Sequence, residues 1–287
     1  MFSYYAFQRQ AQFTIRGILC FILAAAVGGC REKRTDDITL EFALGGGSFT
    51  QALNSRRAHM AHLNFYIYDI YLIDSNDQRI PYIITNTSPW QRNDVALLSF
   101  ANADLKESNT RVHGTLPSNR PTIVGLGFSL GLPFDVNHTN PLTTQSPLNI
   151  GSLYWSWQLG YKFLRVDYDY INALGTTQQR AFHLGSTGCL SASAIRPPQQ
   201  ACEKPNIAHI ELRGFSPKKN VITVNMDALL HHDQNINATP AVMCTGHYKS
   251  HALCEAFIST LGLSADSGQC ENNCLQQQLF VVGERSQ

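Results

Sequence analysis

The sequence predicts a mostly β fold, a single β-sandwich-like domain with one short helix and a disulfide-bonded C-terminal section. Segments that alternate apolar and polar residues recur along the chain and are separated by turn-forming residues, as expected for successive strands. Aromatic residues make up 10% of the 287 residues and charged residues only 15%, which suits an aromatic-rich β core better than a helical bundle. Since no position shows a shift in composition, we expect one domain.

The N-terminus has the pattern of an export signal. Arg9 and Arg16 precede an apolar run at residues 17–27, which ends at small residues directly before Cys30. The run is too short to span a bilayer, which requires about 20 residues. Small residues before a cysteine resemble a lipobox, so we expect residues 1–29 to be a lipoprotein signal peptide and Cys30 to be acylated. A plain secretory signal with an incidental cysteine is the alternative.

A charged segment joins this signal to the predicted domain. Residues 30–37 lack large apolar side chains and predict a solvated, lipidated tether, with the folded domain at residues 38–287. Arg31 rather than aspartate follows the cysteine. By analogy with bacterial lipoproteins this favours the outer membrane, facing the periplasm or the cell surface. The net charge of +1 and the lack of a basic run beyond the tether give no reason to expect nucleic-acid binding.

Strands are predicted along the whole domain. Residues 38–44 alternate and then meet a run of three glycines, which predicts a strand followed by a flexible turn. Residues 63–73 form a long β-prone run whose apolar phase changes near Asp69, which predicts a bulge there. Further strands are expected at residues 95–100, 124–130, 163–170, 207–212 and 221–226, the last two as a pair.

Glycines and loops add detail to this pattern. In the strand at residues 124–130, Gly125 and Gly127 would let another backbone or a large ring approach closely. Apolar residues at helical spacing predict an amphipathic helix near residues 253–261, ended by Gly262. Long loops of the kind that often carry function are expected at residues 45–62, 101–121, 133–154 and 185–206.

The cysteines indicate disulfides. Of the eight cysteines, Cys20 leaves with the signal and Cys30 takes lipid, and the remaining six lie in the last third of the chain. An even number in an exported chain argues for disulfide bonds, and six cysteines allow 15 pairings. A zinc site is the rival interpretation, although export and the spacing count against it. Pairing of sequence neighbours is the simplest solution: Cys189–Cys202, Cys244–Cys254 and Cys270–Cys274.

Several ordered segments resemble one protein family. They are GLPFDVNH at residues 131–138, PLNIGSLYWSWQLGYKF at 147–163 and FHLGSTGC at 182–189, with Trp90-Gln91 and the later CEKPN at 202–206. From about residue 38 to residue 282 the chain is similar to the MbnP-like family, also called the metallo-mystery pair system four-Cys motif proteins. Its named cysteines would be Cys189, Cys202, Cys244 and Cys254. This chain lacks the extra cysteines that members often carry near the start and around residues 102–115, and adds Cys270 and Cys274.

The resemblance implies a function in copper handling. Family members are exported partners of a di-haem MauG-like peroxidase, and in some of them a tryptophan is oxidised to kynurenine. We therefore expect a periplasmic or surface copper-binding lipoprotein that is a protein substrate of such a peroxidase and not itself an enzyme. Motifs typical of hydrolases and nucleotide-binding enzymes do not occur in the sequence. Asp167 and Asp169 are expected to meet solvent, Lys162 or Arg165 rather than to form a catalytic pair.

Two histidines are candidate copper ligands. His138 lies in a loop after a regular strand and His183 lies six residues before Cys189, and imidazole is a good ligand for copper. The alternatives are a loop histidine that hydrogen-bonds backbone and a structural histidine beside a disulfide. His59 and His62 lie within no distinctive motif and are not assigned.

Three tryptophans are candidates for modification: Trp90, Trp155 and Trp157. Trp155 and Trp157 are two residues apart and would share a face if both lie on a strand. Nearby tyrosines could relay electrons from them, or could be ordinary strand aromatics. Two other functions stay open. One is an envelope module that binds glycan or another ligand without metal, with Trp155 and Trp157 as a stacking platform, and the other is a purely structural envelope protein.

Overall fold

In the computed structural model the described residues are 34–86, 88–104, 107–171, 175–230, 242–243 and 252–285. They are mostly β, which confirms the predicted fold class. The predicted signal peptide, Cys20, Cys30 and Cys244 lie outside the described residues. Within the part that is described, no helix is long and apolar enough to cross a membrane.

Strands alternate with short helical segments along the chain. The strands are β1 (Thr35–Gly45), β2 (Ala58–Asp74), β3 (Arg79–Pro81), β4 (Ile83–Ile84), β5 (Gln91–Arg92), β6 (Val95–Asn102), β7 (Arg111–Pro117), β8 (Ile123–Leu130), β9 (Tyr154–Ser156), β10 (Gly160–Tyr161), β11 (Leu164–Ile171), β12 (Thr177–Leu184), β13 (Ala208–Arg213), β14 (Asn220–Asn225), β15 (Val242–Met243) and β16 (Phe280–Glu284). The helices are α1 (Gly47–Asn54), α2 (Phe134–Asn137), α3 (Met226–Leu230) and α4 (Ala252–Thr260).

Two sheets enclose the main apolar core. One has the strand order β16-β14-β1-β7-β4, and the other runs β13-β8-β2-β11-β12-β15, with β3 and β6 also paired to β2. Phe42 and Phe280 from the first sheet meet Phe65 and Phe128 from the second, edge to face, at centroid distances of 5.2 to 6.0 Å. Burial of each such ring stabilises the fold by roughly 1.5–3 kcal/mol, so these contacts hold the sheets together.

The long strand β2 organises the larger sheet. Its first half pairs with β11 and β6, and its second half pairs with β8 and β3. Asp69 adopts a left-handed φ of 51°, and the register with β8 shifts between Tyr68 and Tyr71. The bulge predicted near Asp69 is therefore confirmed. Aspartate tolerates this conformation better than most residues, which allows one strand to change direction and serve both halves of the sheet.

The predicted close approach at a glycine is also present. Gly127 in β8 lies opposite Tyr71 in β2, and a Cβ atom on Gly127 would lie 2.1 Å from the Tyr71 ring. The ring also lies under the Arg79 guanidinium at 4.3 Å, and its hydroxyl donates to Glu211 at 3.3 Å. Only glycine leaves room for the tyrosine in this position.

Three sequence predictions about segment boundaries are wrong. Thr35 already pairs with β7, so the last residues of the predicted tether, 35–37, belong to the domain. The expected loop 45–62 contains α1 and the start of β2, and the loop 101–121 contains β7. Helix α1 forms at the three glycines because the Asp227 carboxylate accepts hydrogen bonds from the backbone of Ser48 and Phe49. This cap comes from 178 residues away and leaves no local signal.

The two late strands do not pair with each other. β13 pairs with β8 in the larger sheet, and β14 lies between β1 and β16 in the smaller one. Their order along the chain suggested a hairpin, but each strand completes a different sheet. The core lies between two sheets, and each sheet must present an apolar face to it. β13 and β14 each add an apolar face to a different sheet.

The C-terminal section agrees with the sequence prediction where it is described. α4 ends at Thr260 and Gly262 follows with φ 73°, as expected for a glycine at a helix end. The disulfides Cys189–Cys202 and Cys270–Cys274 are both formed. Cys254 is disulfide-bonded, and its predicted partner Cys244 lies outside the described residues.

The close packing at Gly127 predicts a cost for any side chain there. The Gly127→Ala variant should lose about 1–2 kcal/mol of unfolding free energy, because the methyl group displaces the Tyr71 ring from Arg79 and Glu211. Gly47→Ala is the matched control, since nothing lies within 4 Å of its Cβ position. Urea unfolding followed by circular dichroism measures both variants. Equal stability of the Gly127 variant and the wild type would show that the packing at this glycine is not constraining.

Candidate metal centre

Three neighbouring strands place charged residues on one face of the larger sheet. Along β11, Leu164, Val166 and Tyr168 are buried in the core, while Arg165 and Asp167 alternate with them and point to the other face. The strand register places Asp167 opposite His62 in β2. It also places Arg165 opposite His183 in β12. Side chains from three strands therefore meet around Asp167.

Asp167 lies between two buried imidazoles. His183 Nε2 is 2.6 Å from Asp167 Oδ1, and His62 Nδ1 is 2.9 Å from Oδ2. Arg165 Nε also donates to Oδ2, at 2.7 Å. His62 is 7% exposed and His183 is 9% exposed, so the imidazoles are largely shielded from water. We call His62, Asp167 and His183 the histidine cluster.

A second carboxylate borders the histidine cluster. Asp104 Oδ2 lies 3.3 Å from His62 Nε2 and accepts a hydrogen bond from Arg165 Nη1 at 3.0 Å. Lys162 is close enough to interact electrostatically with Asp104 and Asp167, and its Nζ donates to the carbonyl of Ser152 at 2.8 Å. Burial and the nearby Arg165 lower the pKa of Lys162. The histidine cluster and its border thus bring together two carboxylates, two imidazoles and the cationic side chains of Arg165 and Lys162.

The ionisation of these groups suits metal binding. Burial opposes ionisation of Asp167, but the hydrogen bond from His183 and the charge of Arg165 outweigh it and lower the carboxyl pKa to about 2. Burial, with help from Arg165, lowers the pKa of His62. At neutral pH the cluster therefore offers a carboxylate and a neutral His62, and a neutral imidazole has the lone pair that a metal requires.

Several imidazole nitrogens in the cluster lack a satisfactory hydrogen bond within the described part of the chain. His183 Nδ1 is buried without a partner, and both nitrogens of His62 approach carboxylates by distance but not in hydrogen-bond geometry. An unsatisfied buried polar atom costs roughly 1–3 kcal/mol and commonly indicates a bound water or ion. With no partner for His183 Nδ1 among the described residues, the imidazole proton can sit on Nδ1, which frees Nε2, the nitrogen that faces Asp167.

A second group of potential ligands lies around the Cys189–Cys202 disulfide. His138 Nε2 is 3.6 Å from Cys202 Sγ, and the ligand atoms of His138, Cys189 and Cys202 all lie within 4.8 Å of one another. We call these three residues the disulfide group. They form a possible His/Cys site. In the oxidised state, however, the sulfurs carry no thiolate charge, and His138 is the one strong donor of the three.

The structure separates the two histidines that the sequence pointed to. His183 lies at Asp167, whereas His138 lies at the disulfide, so they belong to different groups. His62, which the sequence left unassigned, lies beside His183 instead. The expectation for Asp167 was incomplete, because it contacts Arg165 as predicted but also both histidines. The ligand atoms of the histidine cluster are more widely spaced than those of the disulfide group, since the carboxylate lies between the imidazoles.

The three tryptophans occupy different places. β9 ends at Ser156, whose hydroxyl accepts a hydrogen bond from the Leu159 backbone, so Trp157 lies beyond the strand. The condition under which Trp155 and Trp157 would share a face, that both lie on one strand, is therefore not met. Trp90 packs against a second, smaller cluster of buried apolar residues, which includes Tyr66, Tyr161 and Phe163.

The ring of Trp155 contacts residues that adjoin the histidine cluster. The ring packs on Gly185, where a Cβ would lie 2.5 Å from it, and Gly185 is two residues after His183. Lys162, which interacts with Asp167, has its ammonium 6.0 Å from the ring centroid. The ring of Trp155 thus lies at the border of the cluster while remaining partly exposed.

Comparisons with known proteins agree on one family. The family model described as MbnP matches residues 35–245, a range that contains both the histidine cluster and the disulfide group. Among solved structures, MbnP from Methylosinus trichosporium matches with a TM-score of 0.69 and 24% sequence identity, covering 88% of this chain and 100% of that chain. At this identity the likeness supports the fold alone. No curated protein matches the sequence.

The lowered pKa of Asp167 predicts a pH-dependent contribution to stability. Because its pKa falls from 3.8 to about 2 on folding, the stabilisation is complete above the unfolded value and is lost as pH falls toward 2. At about 1.4 kcal/mol per pKa unit, Asp167→Asn should lower the unfolding free energy by roughly 2 kcal/mol at pH 7.

Urea unfolding of the Asp167→Asn variant between pH 7 and pH 2 measures this effect. The difference from wild type should shrink below pH 4 and be smallest near pH 2. Asp169→Asn is the control, because that carboxylate lies on the same strand, is more exposed and lies 4.0 Å from the exposed His59. A deficit in the Asp167 variant that stays constant across this pH range would contradict the assignment.

Proposed function

This chain belongs to the MbnP family, and we propose that it is a copper-binding lipoprotein of the bacterial cell envelope and a protein substrate of a di-haem peroxidase. The family match confirms the resemblance noted in the sequence motifs. The observation that carries the copper proposal is the pair of buried histidines that meet at Asp167. The export signal that the sequence predicts before Cys30, together with the disulfides, supports an oxidising compartment outside the cytoplasm.

The histidine cluster fits copper by its donor set. Copper binds strongly to imidazole, and His62 and His183 are buried with nitrogens that lack satisfactory partners within the described residues. A cation could take the place of the hydrogen bond that now joins His183 Nε2 to Asp167. Bound copper would supply a redox-active, Lewis-acidic centre.

Asp167 has a distinct role in this proposal. Its carboxylate is ionised at neutral pH, so it offers negative charge to a cation. It could either accept a hydrogen bond from an imidazole that binds the cation or bind the cation itself. Carboxylates next to ligating histidines fix ring orientation and raise ligand basicity. Arg165 holds Asp167 and Asp104 together and keeps the carboxylate in place before any cation arrives.

We assign the peroxidase-dependent oxidation to Trp155. Its ring is partly exposed, so electrons can leave toward a separate protein, and its contact with Gly185 brings it near His183. Two equivalents of hydrogen peroxide cleave the indole C2–C3 bond, each leaving one oxygen atom on the product and releasing one water, which gives N-formylkynurenine. Hydrolysis then removes one carbon as formate and leaves kynurenine. The new aromatic amine and ketone would add donor atoms at the border of the cluster.

The alternative of a metal-free ligand platform is less well supported. It requires Trp155 and Trp157 to present their rings on one face, and β9 ends between them. The two buried histidines would also have no role in such a module. Metal binding therefore agrees better with the positions of the described side chains.

Removal of either histidine should abolish tight copper binding. His62→Asn and His183→Asn should each weaken Cu(I) affinity by at least about 100-fold, because even residues that only support a ligand cost 10–100-fold. Competition with a chromogenic Cu(I) chelator measures the affinity of the oxidised protein.

His59→Asn is the matched control for this experiment. It removes an exposed histidine from the same strand without touching Asp167 and should leave the affinity unchanged. Wild-type affinity in both cluster variants would refute the site.

Replacement of Trp155 should block the oxidative modification. In cells that also produce the di-haem peroxidase, the wild-type peptide containing Trp155 should gain the mass of two oxygen atoms less one carbon monoxide. Trp155→Phe should show no such gain on any peptide, while Trp90→Phe and Trp157→Phe should retain it. Peptide mass spectrometry distinguishes these cases. The same gain on a peptide with Trp90, in protein with an active partner, would show that the wrong tryptophan is assigned.

A further inference from the structure

We propose that His138, Cys189 and Cys202 form a second metal site that the disulfide masks and that reduction opens to a thiophilic cation such as Cu(I) or Zn(II). This proposal does not rest on the histidine cluster, which uses other residues. Two thiolates and an imidazole are the donor set that such cations prefer, and thiolates form only after the disulfide is reduced.

The position of His138 relative to Cys202 fits the geometry of a tetrahedral metal site. Bonds of about 2.0–2.1 Å to nitrogen and about 2.3 Å to sulfur at a tetrahedral angle give a nitrogen–sulfur separation of about 3.6 Å. The observed distance from His138 Nε2 to Cys202 Sγ is 3.6 Å. His138 Nε2 and Cys202 Sγ are thus already spaced as two ligands of one metal ion. Cleavage of the sulfur–sulfur bond would let Cys189 Sγ move into the position of a third ligand.

His138 is held in the form that a metal needs. Its Nδ1 lies 3.0 Å from the carbonyl of Trp157, which can only accept, so Nδ1 carries the proton and Nε2 carries the lone pair. The lone pair faces the sulfur of Cys202 with no proton in between.

Asn137 would lose its contact with His138 when a cation binds. Asn137 Nδ2 lies 3.2 Å from His138 Nε2 and 3.4 Å from Ser186 Oγ, so it can retain the serine contact when the imidazole lone pair is taken. Asn137 Oδ1 accepts from the backbone of Tyr161 at 2.8 Å and keeps the amide in position. A cation would therefore replace the Asn137 contact at Nε2, while the remaining contacts of Asn137 hold its side chain in place.

The two cysteines stay near each other without their covalent bond. Thr187 and Lys204, which flank them, exchange two backbone hydrogen bonds of 2.9 and 3.0 Å. Gln158 Nε2 donates to the carbonyl of Cys189 at 2.9 Å. Reduction should therefore open the disulfide while the loop ends remain paired.

The chemistry balances with a dithiol as reductant. A dithiol transfers two electrons and two protons to the disulfide, so Cys189 and Cys202 become thiols and the reductant becomes its own cyclic disulfide. Binding of the cation then releases the two thiol protons. Both cysteines are buried, at 4% and 8% exposure, so little water competes for the cation.

The test uses the full chain with and without reduction. Dithiothreitol reduces the protein under anaerobic conditions and is removed, and Cu(I) is then titrated against bicinchoninate. Mass spectrometry after thiol alkylation shows which cysteines are reduced, and circular dichroism shows that the protein remains folded. We expect reduction to add one Cu(I) equivalent beyond the oxidised protein, including in the His62→Asn/His183→Asn background.

Two variants assign that added equivalent. His138→Asn and Cys202→Ser should each weaken the added binding at least tenfold, while Cys270→Ser/Cys274→Ser and His209→Asn, which removes an exposed imidazole hydrogen-bonded to Ser129, should not. An unchanged affinity in the His138 variant would overturn the proposal, as would the absence of added copper in folded, reduced protein. Failure of the Cys189–Cys202 bond to be reduced while the protein is folded would also overturn it. Copper bound by the oxidised protein is measured first, in wild type and in the His62→Asn/His183→Asn background, so the histidine cluster and the added equivalent are scored separately.

Discussion

The ionised carboxylate of Asp167 is the constraint on which the candidate site depends. A buried anion is costly unless hydrogen-bond donors or cations surround it, and Asp167 accepts hydrogen bonds from His183 and Arg165, while His62 Nδ1 lies 2.9 Å from its carboxylate. These partners come from β2, β11 and β12, so the requirement can be met only when the three strands pair in this register. The bulge at Asp69 lets β2 maintain that register while its second half pairs with β8 and β3.

The two groups of potential ligands differ in the state that activates them. The histidine cluster has donors at neutral pH without any covalent change, because Asp167 is ionised and His62 is neutral. The disulfide group lacks thiolates while its sulfurs are bonded to each other. A single β domain can therefore offer two kinds of ligand set. The histidine cluster has oxygen and nitrogen donors, and the disulfide group has nitrogen and the softer sulfur.

Sequence patterns predicted the elements better than their partners. Period-2 alternation found β8 and β11, and the phase change found the bulge at Asp69, because these signals are local. The site required knowledge of register, which brings His62 to Asp167 across more than 100 positions of sequence. His62 has no motif, and alternation alone could not show that the polar face of β11 is covered. The cap from Asp227 on α1 was missed for the same reason.

The family resemblance and the geometry contributed different parts of the account. Ordered motifs identified the family and pointed to His138 and His183, while the structure showed that these two histidines face different neighbours. The end of β9 at Ser156 likewise separated Trp155 from Trp157, which their spacing had placed together. Spacing predicts a shared face only while the strand continues, and a side-chain hydrogen bond at Ser156 marks where this one ends.

X-ray absorption spectroscopy of the copper-loaded, oxidised full chain tests the central claim most directly. The account predicts a first shell of nitrogen and oxygen with the outer-shell scattering of two imidazoles, since His62, His183 and Asp167 are the donors. Sulfur in the first shell of the oxidised protein, or the scattering of a single imidazole that persists in the His62→Asn variant, would contradict it and move copper to the disulfide group.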